Sequence, residues 1–326
     1  MLGPMNKHHT TVLLLIGVLF ILLGCRDRYS LRCVECSTNN QDSEILEYML
    51  PESSIAILSV DQYRLEKQLH ATMYQPLREE LLLYLATQNA DINLYFEDLH
   101  SGGWMGIDES ALFFPGSLLK VPLMAATLKK IEEGNWSLNT ELIIAKEDLD
   151  PGYGTLYREG ANVSYTVWEL LDYVSNTSDN TAYRTLLRNM EYGEMSDALT
   201  NLGLPRRIES VKNSIPLSPR HVGRFFSSLF HGDYLHRSSS QLILSLLAES
   251  PFTKGIPAGV PPPIKVSHKQ GSTVLDHRPN NHDCGIVFAP AKPYVLCIMV
   301  GGPLEAQAHA IMQDISAIIY TYVAME

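Results

Sequence analysis

The sequence predicts an α+β fold, in which an antiparallel sheet is flanked by helices and an all-helical lobe is inserted into the chain. Patterns typical of β-strands occur near residues 92–108 and again after residue 263, whereas helical patterns fill the region between them. The strands at the two ends must pair to form one sheet. We therefore expect a sheet lobe from about residues 43–116 and 262–326, and a helical lobe from about residues 117–261.

The composition is that of a globular protein. The 326 residues are 45% hydrophobic and 19% charged, which is enough apolar material for one large domain or two closely packed lobes. The formal net charge of -11 argues against a nucleic-acid partner, because nucleic-acid binding depends on lysine and arginine contacts with phosphates. The chain has no internal repeat and no low-complexity segment, and we expect it to act as a monomer.

A signal peptide is predicted at residues 1–24. Lys7, His8 and His9 supply a positive start, and the apolar run Val12–Leu23 is too short to span a bilayer comfortably. Cys25 follows a small residue, an ending that resembles a bacterial lipoprotein signal, in which the cysteine is lipidated. An ordinary secretory peptide or a short anchor is the alternative. We expect an exported protein that is anchored by lipid to the periplasmic or cell-surface face of a bacterial membrane.

The other four cysteines fall into two pairs. Residues 25–42 are polar and predict a flexible tether, in which Cys33 and Cys36 favour a small local disulfide. A zinc site needs about four ligands, and no second pair of ligands occurs at a suitable spacing, so no metal is expected. Cys284 and Cys297 lie in two predicted strands, either as a pair across a hairpin or as two separate buried thiols. Separate thiols are the favoured alternative.

A helix and a hairpin precede residue 117. Gln75–Leu85 predicts the first clear helix, and residues 43–72 have no assigned function. Ile92–Asp98 alternates as a strand, and a turn at His100–Gly103 joins it to a second strand over Trp104–Asp108. This hairpin leads directly to the break Pro115-Gly116.

Helical patterns follow. Leu118–Glu133 predicts an amphipathic helix that ends before Gly134. Thr166 and Glu169 form a capping box at the start of another helix. Further helices are predicted over Thr181–Arg188, over His221–Phe230 between a Ser218-Pro219 cap and Gly232, and over Ser238–Leu247.

Beyond three consecutive prolines at residues 261–263 the pattern changes again. Ile264–His268, Gly285–Phe288 and Tyr294–Val300 predict three strands. Pro303 opens a final helix with a single apolar stripe, which is formed by Leu304, Ala308, Ile311, Met312, Ile315, Ile319 and Tyr322.

A serine and a lysine lie three residues apart just after Pro115-Gly116. Positions i and i+3 of a helix share a face, so we expect the Lys120 amine to reach the Ser117 hydroxyl. A serine hydroxyl becomes a good nucleophile when a neighbouring base accepts its proton, and a helix N-terminus favours a developing oxyanion. On its own this motif is expected about once by chance in a chain of this length, so its meaning depends on other motifs.

Two later fragments complete a known combination. Ser178-Asp179-Asn180 lies in a predicted loop between helices, and His268-Lys269-Gln270-Gly271-Ser272 lies at a predicted strand end. Together with Ser117 and Lys120 they resemble Ser-x-x-Lys, Ser-Asp-Asn and Lys-Thr-Gly, the motifs of class A β-lactamases and penicillin-binding proteins. The resemblance extends over residues 75–322, and the class A type fits best. It implies the two-lobed β-lactamase/transpeptidase fold, a site between the lobes, and no cofactor.

The resemblance implies acyl transfer. Ser117 attacks a carbonyl and becomes acylated, and Lys120 accepts the serine proton. Lysine has an ordinary pKa of about 10.4, so burial and the charge of Lys269 must favour the neutral form of Lys120. Ser178 relays a proton to the leaving nitrogen, and Lys269 holds the Ser178 hydroxyl by its charge.

The resemblance also implies groups that bind the substrate. Asn180 binds the amide of the substrate side chain. The backbone N–H groups of Ser117 and Ser272, the residue just after Gly271, form the oxyanion hole.

Gln270 departs from the family pattern. It replaces the threonine whose hydroxyl commonly helps to hold the substrate carboxylate. Ser272 is the nearest substitute, and Arg278 and Lys254 are further candidates for a positive charge.

The loop after the second motif also departs from the pattern. Class A β-lactamases carry there a glutamate that activates the deacylating water, whereas residues 204–219 are short and lack Glu-x-x-Leu-Asn. Glu209 is the candidate deacylation base. We expect an acyl-enzyme that forms but hydrolyses slowly. The favoured hypothesis is class A-like hydrolysis of β-lactam amides. The alternatives are a D,D-carboxypeptidase or penicillin-binding protein that acts on peptidoglycan stem peptides, and a ligand sensor without turnover.

Overall fold

The computed structural model of the chain describes residues 73–191, 193–204, 216–275, 277–290 and 292–325. The predicted signal peptide, the predicted tether with Cys25, Cys33 and Cys36, and the candidate base Glu209 lie outside these residues. Within the described ranges, no helix combines the length and the apolar character needed to cross a membrane.

The strands form one large and one small sheet. They are β1 Asp91–Asp98, β2 Trp104–Ile107, β3 Glu141–Ile143, β4 Ser164–Thr166, β5 Val266–Leu275, β6 Arg278–Val287 and β7 Tyr294–Gly301. The large sheet is antiparallel with the order β2-β1-β7-β6-β5, and β3 pairs with β4. β1 and β7 pair from Asp91 opposite Gly301 to Asp98 opposite Tyr294. This pairing confirms the prediction that strands from the two ends of the folded region meet in one sheet.

Eight α-helices surround and extend this sheet within the described residues. They are α1 Gln75–Leu85, α2 Lys120–Glu132, α3 Val167–Asn176, α4 Asn180–Arg188, α5 Glu194–Asn201, α6 Pro219–His231, α7 Arg237–Ala248 and α8 Glu305–Met325. The sequence predicted seven of them and missed α5, together with the small sheet of β3 and β4.

The predicted helix caps are confirmed. Glu169 N donates to Thr166 Oγ1 over 3.2 Å, and the Glu169 carboxylate accepts from Thr166 N over 2.8 Å, so the capping box at α3 is complete. Ser218 caps α6 with Pro219 in its first turn, and Gly232 ends that helix with φ at 76°. These caps satisfy backbone groups that the helix itself leaves unpaired.

Each face of the large sheet has its own apolar core, because side chains alternate across a strand. On one face Leu94 and Ile298 pack with α1 and α8. On the other face Tyr95 and Met299 pack with α6 and with the helices that enclose α2. The stripe predicted for α8 is buried apart from Leu304, which precedes the helix and is 75% exposed, and Tyr322, which is partly buried.

The prediction that α2 is amphipathic is wrong. Every residue from Lys120 to Leu128 is buried, because α2 is the central helix of its core and is covered on all sides. A helix that is buried all round carries apolar residues all round. The lysines and glutamates near its C-terminal end gave the appearance of a polar face.

The predictions for β5, β6 and their cysteines need correction. β5 and β6 are both 10 residues long, so Lys269, Gln270 and Gly271 lie within β5 rather than at its end. Cys284 and Cys297 are direct cross-strand partners and form a disulfide, so the preference for two separate thiols is wrong. Both cysteines lie fully buried on the face that packs with α6.

Candidate active site

Ser117 lies in a single 3-10 turn, Gly116–Leu119, that continues directly into α2. The predicted α-helix therefore begins three residues after Ser117, at Lys120. Gly116 has φ at 54°, and a Cβ there would lie 2.7 Å from Ser272 O. A Cβ on Gly271 would likewise collide with Pro115 O. The two glycines thus let the serine turn pack against β5, which brings the backbone of Ser272 beside it.

The carbonyl of Phe114 ties this turn to the sheet. It accepts hydrogen bonds from Thr273 Oγ1 over 3.3 Å and from His282 Nε2 over 3.1 Å. Burial lowers the pKa of His282 to about 4, so the ring is neutral near pH 7, with its proton on the nitrogen that donates. The turn that carries Ser117 is therefore held from two strands, β5 and β6.

Lys120 lies at the centre of the predicted site. Its Nζ is 3.3 Å from Ser117 Oγ, 3.1 Å from Ser178 Oγ and 2.8 Å from Asn180 Oδ1, and it also donates to Ser178 O. The residue is only 3% exposed. The structure thus brings Ser117, Lys120, Ser178 and Asn180 together, as the sequence predicted.

The environment of Lys120 favours its neutral form. Burial, and to a smaller extent the charge of Lys269, lower its pKa to about 7, while Asp179 and Asp150 act in the opposite direction. A neutral amine has two hydrogens and one lone pair. With those hydrogens donated to Ser178 O and Asn180 Oδ1, the lone pair is left to accept the proton of Ser117.

Asp179 organises the loop that carries Ser178. Its two carboxylate oxygens accept backbone N–H groups from Thr155, Leu156, Thr181 and Ala182 over 2.7 to 3.0 Å. Asp179 is fully buried and caps α4, while Ser178 is held with φ at 52°, in the left-handed region. A non-glycine residue adopts this backbone at a cost, and here the conformation directs both the carbonyl and the hydroxyl of Ser178 at Lys120.

Asp150 was not predicted as part of the site. Its Oδ1 accepts from Asn180 Nδ2 over 3.3 Å and from Gly152 N over 2.7 Å, and its Oδ2 pairs with Arg184 over 2.6 Å. These contacts fix the amide of Asn180 so that its oxygen faces Lys120. The Asp150-Pro151-Gly152 turn was visible in the sequence, but the contact joins residues 30 positions apart.

Lys269 lies in the site, and the predicted action of its charge on the Ser178 hydroxyl stays a prediction. Among the described residues it has no hydrogen bond with Ser178; its Nζ lies 3.4 Å from Gln270 O and 5.5 Å from the centre of the Phe252 ring. Burial lowers the pKa of Lys269 to about 8, against a raising effect of Asp283. The charge of Lys269 still acts on the site, because it helps to lower the pKa of Lys120.

The candidate carboxylate-binding groups are separated. Gln270 Nε2 donates to Lys254 O over 2.8 Å, so this side chain is turned to the neighbouring loop. Arg278 pairs with Asp91 over 2.5 Å at a cavity of about 730 Å³ that none of the predicted catalytic residues lines. Ser272 is exposed beside the Ser117 turn. Of these groups, Ser272 is the one next to Ser117.

No metal centre is apparent in the described part of the chain. It contains no group of three or more His, Cys, Asp or Glu residues that is arranged to hold a metal ion. The polar groups around Ser117 are hydroxyls, amides and two amines, which are suited to proton transfer and hydrogen bonding.

Comparisons with known proteins agree with this geometry. Residues 76–323 match the model of the Beta-lactamase enzyme family. The chain is 26% identical over 232 residues to a β-lactamase of Streptomyces albus G, which covers 64% of this chain and 72% of the relative. The structure of PBP-A is 22% identical with a TM-score of 0.70, covering 77% of this chain and 97% of that chain. A mutant of PBP-A was solved as an acyl-enzyme complex with penicillin G.

A β-lactamase from Chitinophaga pinensis DSM 2588 is similar to the same extent. It is 21% identical, with a TM-score of 0.70, and the match covers 76% of this chain and 100% of that chain. These two structural likenesses show that the fold is that of β-lactamases and transpeptidases. Since the family model covers most of the chain, the chain belongs to the β-lactamase enzyme family and is a β-lactamase-like serine hydrolase.

Proposed function

We propose that Ser117 is acylated by β-lactam amides and that Lys120 is the base that activates it. The observation that carries this proposal is the position of the Lys120 amine, buried 3.3 Å from Ser117 Oγ with a pKa lowered to about 7. An amine that is largely neutral near pH 7 is a competent proton acceptor.

The steps follow from the contacts. Ser117 Oγ forms a bond to the β-lactam carbonyl carbon as its proton passes to Lys120 Nζ. The backbone N–H groups of Ser117 and Ser272 stabilise the oxyanion. The carbon–nitrogen bond then breaks, and Ser178, which lies 3.1 Å from Lys120 Nζ, passes a proton to the leaving nitrogen while it regains one from Lys120. Lys269 supplies positive charge that favours this transfer and attracts the substrate carboxylate.

Deacylation is the slow step in this proposal. The two carboxylates whose charges act on Lys120 are those of Asp150 and Asp179. Both are occupied, Asp179 by four backbone N–H groups and Asp150 by Asn180, Gly152 and Arg184. Neither is placed to activate a water at the acyl carbonyl. Glu209 remains the candidate base on sequence grounds.

A second candidate function is that of a penicillin-binding protein that acts on peptidoglycan stem peptides. The hydrogen bonds that occupy the carboxylates of Asp150 and Asp179 favour this second function. A penicillin-binding protein keeps its β-lactam adduct and needs no base for deacylation. A mutant of PBP-A, a protein of the same fold, was solved as an acyl-enzyme complex with penicillin G.

Turnover of a chromogenic cephalosporin by the full chain, purified in detergent, tests both the acylation of Ser117 and the slow deacylation. We expect a burst equal to the amount of enzyme, followed by slow steady hydrolysis, and neither phase in Ser117→Ala. Rapid multiple turnover without a burst would contradict slow deacylation. The absence of both burst and turnover in the wild type would contradict the acylation of Ser117.

A further inference from the structure

A buried pair lies on the opposite side of β5 from the nucleophile. His268 and Asp283 are 2% and 0% exposed. His268 Nδ1 lies 2.7 Å from Asp283 Oδ1. Because residues alternate across a strand, His268 points to the opposite face of β5 from its neighbour Lys269. The pair touches none of Ser117, Lys120 or Ser178, so its role must be exerted through other residues.

Every side-chain nitrogen and oxygen of His268 and Asp283 has a hydrogen-bond partner. His268 Nε2 lies 2.9 Å from Phe252 O, and a carbonyl oxygen only accepts, so Nε2 carries a hydrogen. Asp283 Oδ2 accepts from Ile256 N over 2.9 Å. One further proton lies between His268 Nδ1 and Asp283 Oδ1. Buried polar groups that are fully paired rigidify their surroundings, and both outer partners, Phe252 and Ile256, belong to one loop.

That loop touches the Lys269 side of the strand. It leaves α7, crosses the free edge of β5 and reaches the opposite face at Ile256. The ring of Phe252, whose carbonyl is held by His268, lies 5.5 Å from Lys269 Nζ. Lys254 O accepts from Gln270 Nε2. The loop therefore covers Lys269 on one face of β5, and His268 and Asp283 hold the loop from the opposite face.

Two glycines make room for the pair. Gly285 is the cross-strand partner of His268, and a Cβ there would lie 2.6 Å from His268 Cα. Gly255 has φ at 78°, and a Cβ there would lie 2.5 Å from Asp283 Oδ2. At Gly255 the Asp283 carboxylate itself excludes a side chain, whereas at Gly285 the nearest atom would be Ser267 O at 2.2 Å, so the backbone of β5 excludes one there.

We infer that His268 and Asp283 are positioning residues for Lys269, which they hold in place through the Phe252 loop. This inference rests on the proposed function, in which Lys269 must carry a positive charge during acylation. Loss of His268 releases Phe252 and leaves Asp283 without its buried partner. Release of Phe252 reduces the burial of Lys269 and so raises the pKa of Lys269, because burial lowers it. The other charged group whose field reaches Lys269 is Lys120, which in turn faces Asp150 and Asp179.

The test measures the rate of acylation of the full chain by a fluorescent penicillin as a function of pH. In His268→Ala we expect the maximal rate to fall roughly tenfold or more, since small misplacements of catalytic groups have effects of this size. We also expect the alkaline decline of the rate to move to higher pH. His268→Gln keeps a donor for Phe252 O and is expected to give an intermediate rate and an intermediate shift.

Ser267→Ala is the matched control. Ser267 is the adjacent residue, is equally buried, and donates to Leu244 O over 2.6 Å without contacting the Phe252 loop. We expect the Ser267→Ala variant to lose stability but to keep the wild-type rate of acylation and its pH profile. A folded His268→Ala with the wild-type rate and profile overturns the inference. If His268→Ala does not fold, a folded His268→Gln with the wild-type rate and pH profile overturns the inference instead. A wild type that is not acylated overturns the proposed function instead.

Discussion

The proposed role of Ser117 as the nucleophile depends on the burial of one amine, that of Lys120. A lysine in water remains protonated at neutral pH and cannot accept a proton. Lys120 is enclosed by α2, α4 and the Ser178 turn, and it has enough acceptors to remain ordered when neutral. Burial is the largest cause of the lowered pKa of Lys120, and the positive charge of Lys269 lowers it further.

The rate of acylation should therefore have a bell-shaped dependence on pH. It rises as Lys120 loses its proton near pH 7, and it falls as Lys269 loses its proton near pH 8. Stopped-flow acylation with a fluorescent penicillin between pH 5 and 10 measures both limbs. Lys269→Arg keeps its charge throughout this range and should lose the alkaline limb. A rate that is already maximal at pH 5 would exclude Lys120 as the base.

Local spacing explains why the sequence predicted part of this site. Ser117 and Lys120 are one turn apart, and the contact of Lys120 with Ser178 follows from the family motif. The contact of Asp150 with Asn180 was not predicted, because it depends on how two loops cross. The action of the Lys269 charge on the Ser178 hydroxyl stays a prediction, because the hydrogen bond that Lys269 donates goes to Gln270 O.

At the scale of elements, the loop before α3 is locked to the start of α4. Gly154 has φ at 90°, and a Cβ there would collide with the Asp179 carboxylate. Asn180 N donates to Tyr153 O over 3.0 Å, so the same loop also orders the residue that faces Lys120. The conformation of Ser178 therefore depends on a residue outside all three motifs.

Gly154→Ala should both destabilise the protein and slow its acylation, because the new methyl group displaces Asp179 from its four N–H donors. Gly134→Ala is the matched control, since Gly134 also has a positive φ of 78° but has open space around it. Thermal unfolding should show a loss for both variants, and the acylation rate should fall only in Gly154→Ala. Equal acylation rates in the two variants would contradict the role given to this loop.

The starts of helices were predicted well where the sequence carries capping residues. The caps Thr166 and Ser218 fixed the starts of α3 and α6. β5 was predicted too short because its second half carries polar and exposed residues on both faces, with Val274 at 70% exposure. In α2 most of the charged residues lie in the last turns, and this pattern resembles that of an amphipathic helix although the first turns are enclosed on every side.

At the scale of the molecule, the sheet joins the ends of the described region, and α8 covers one face of it. Ile315 is fully buried in that core, whereas Leu304 is 75% exposed, although the sequence placed both in one apolar stripe. Closure of the sheet was predictable because unpaired strands at both ends needed partners. The disulfide was not predictable, because cysteines in two neighbouring strands form one only if the strand register places them directly opposite each other, as it does for Cys284 and Cys297.

Ile315→Ala should lower the free energy of unfolding by about 2 to 5 kcal/mol, because it removes buried methyl groups and leaves a cavity. Leu304→Ala should change it by less than about 0.5 kcal/mol, as is usual for an exposed side chain. Urea unfolding followed by circular dichroism measures both. A similar effect of the two substitutions would mean that α8 does not cover the sheet as described.

The most direct test of the whole account is the location of the adduct that one equivalent of penicillin G leaves on the full chain. The mass of the intact protein should increase by that of one intact β-lactam, and peptide mapping should find it on Ser117. Ser117→Ala should gain no mass under the same conditions. An adduct on another residue, or an unmodified wild type, would contradict the claim that Ser117 and Lys120 form a nucleophile and its base.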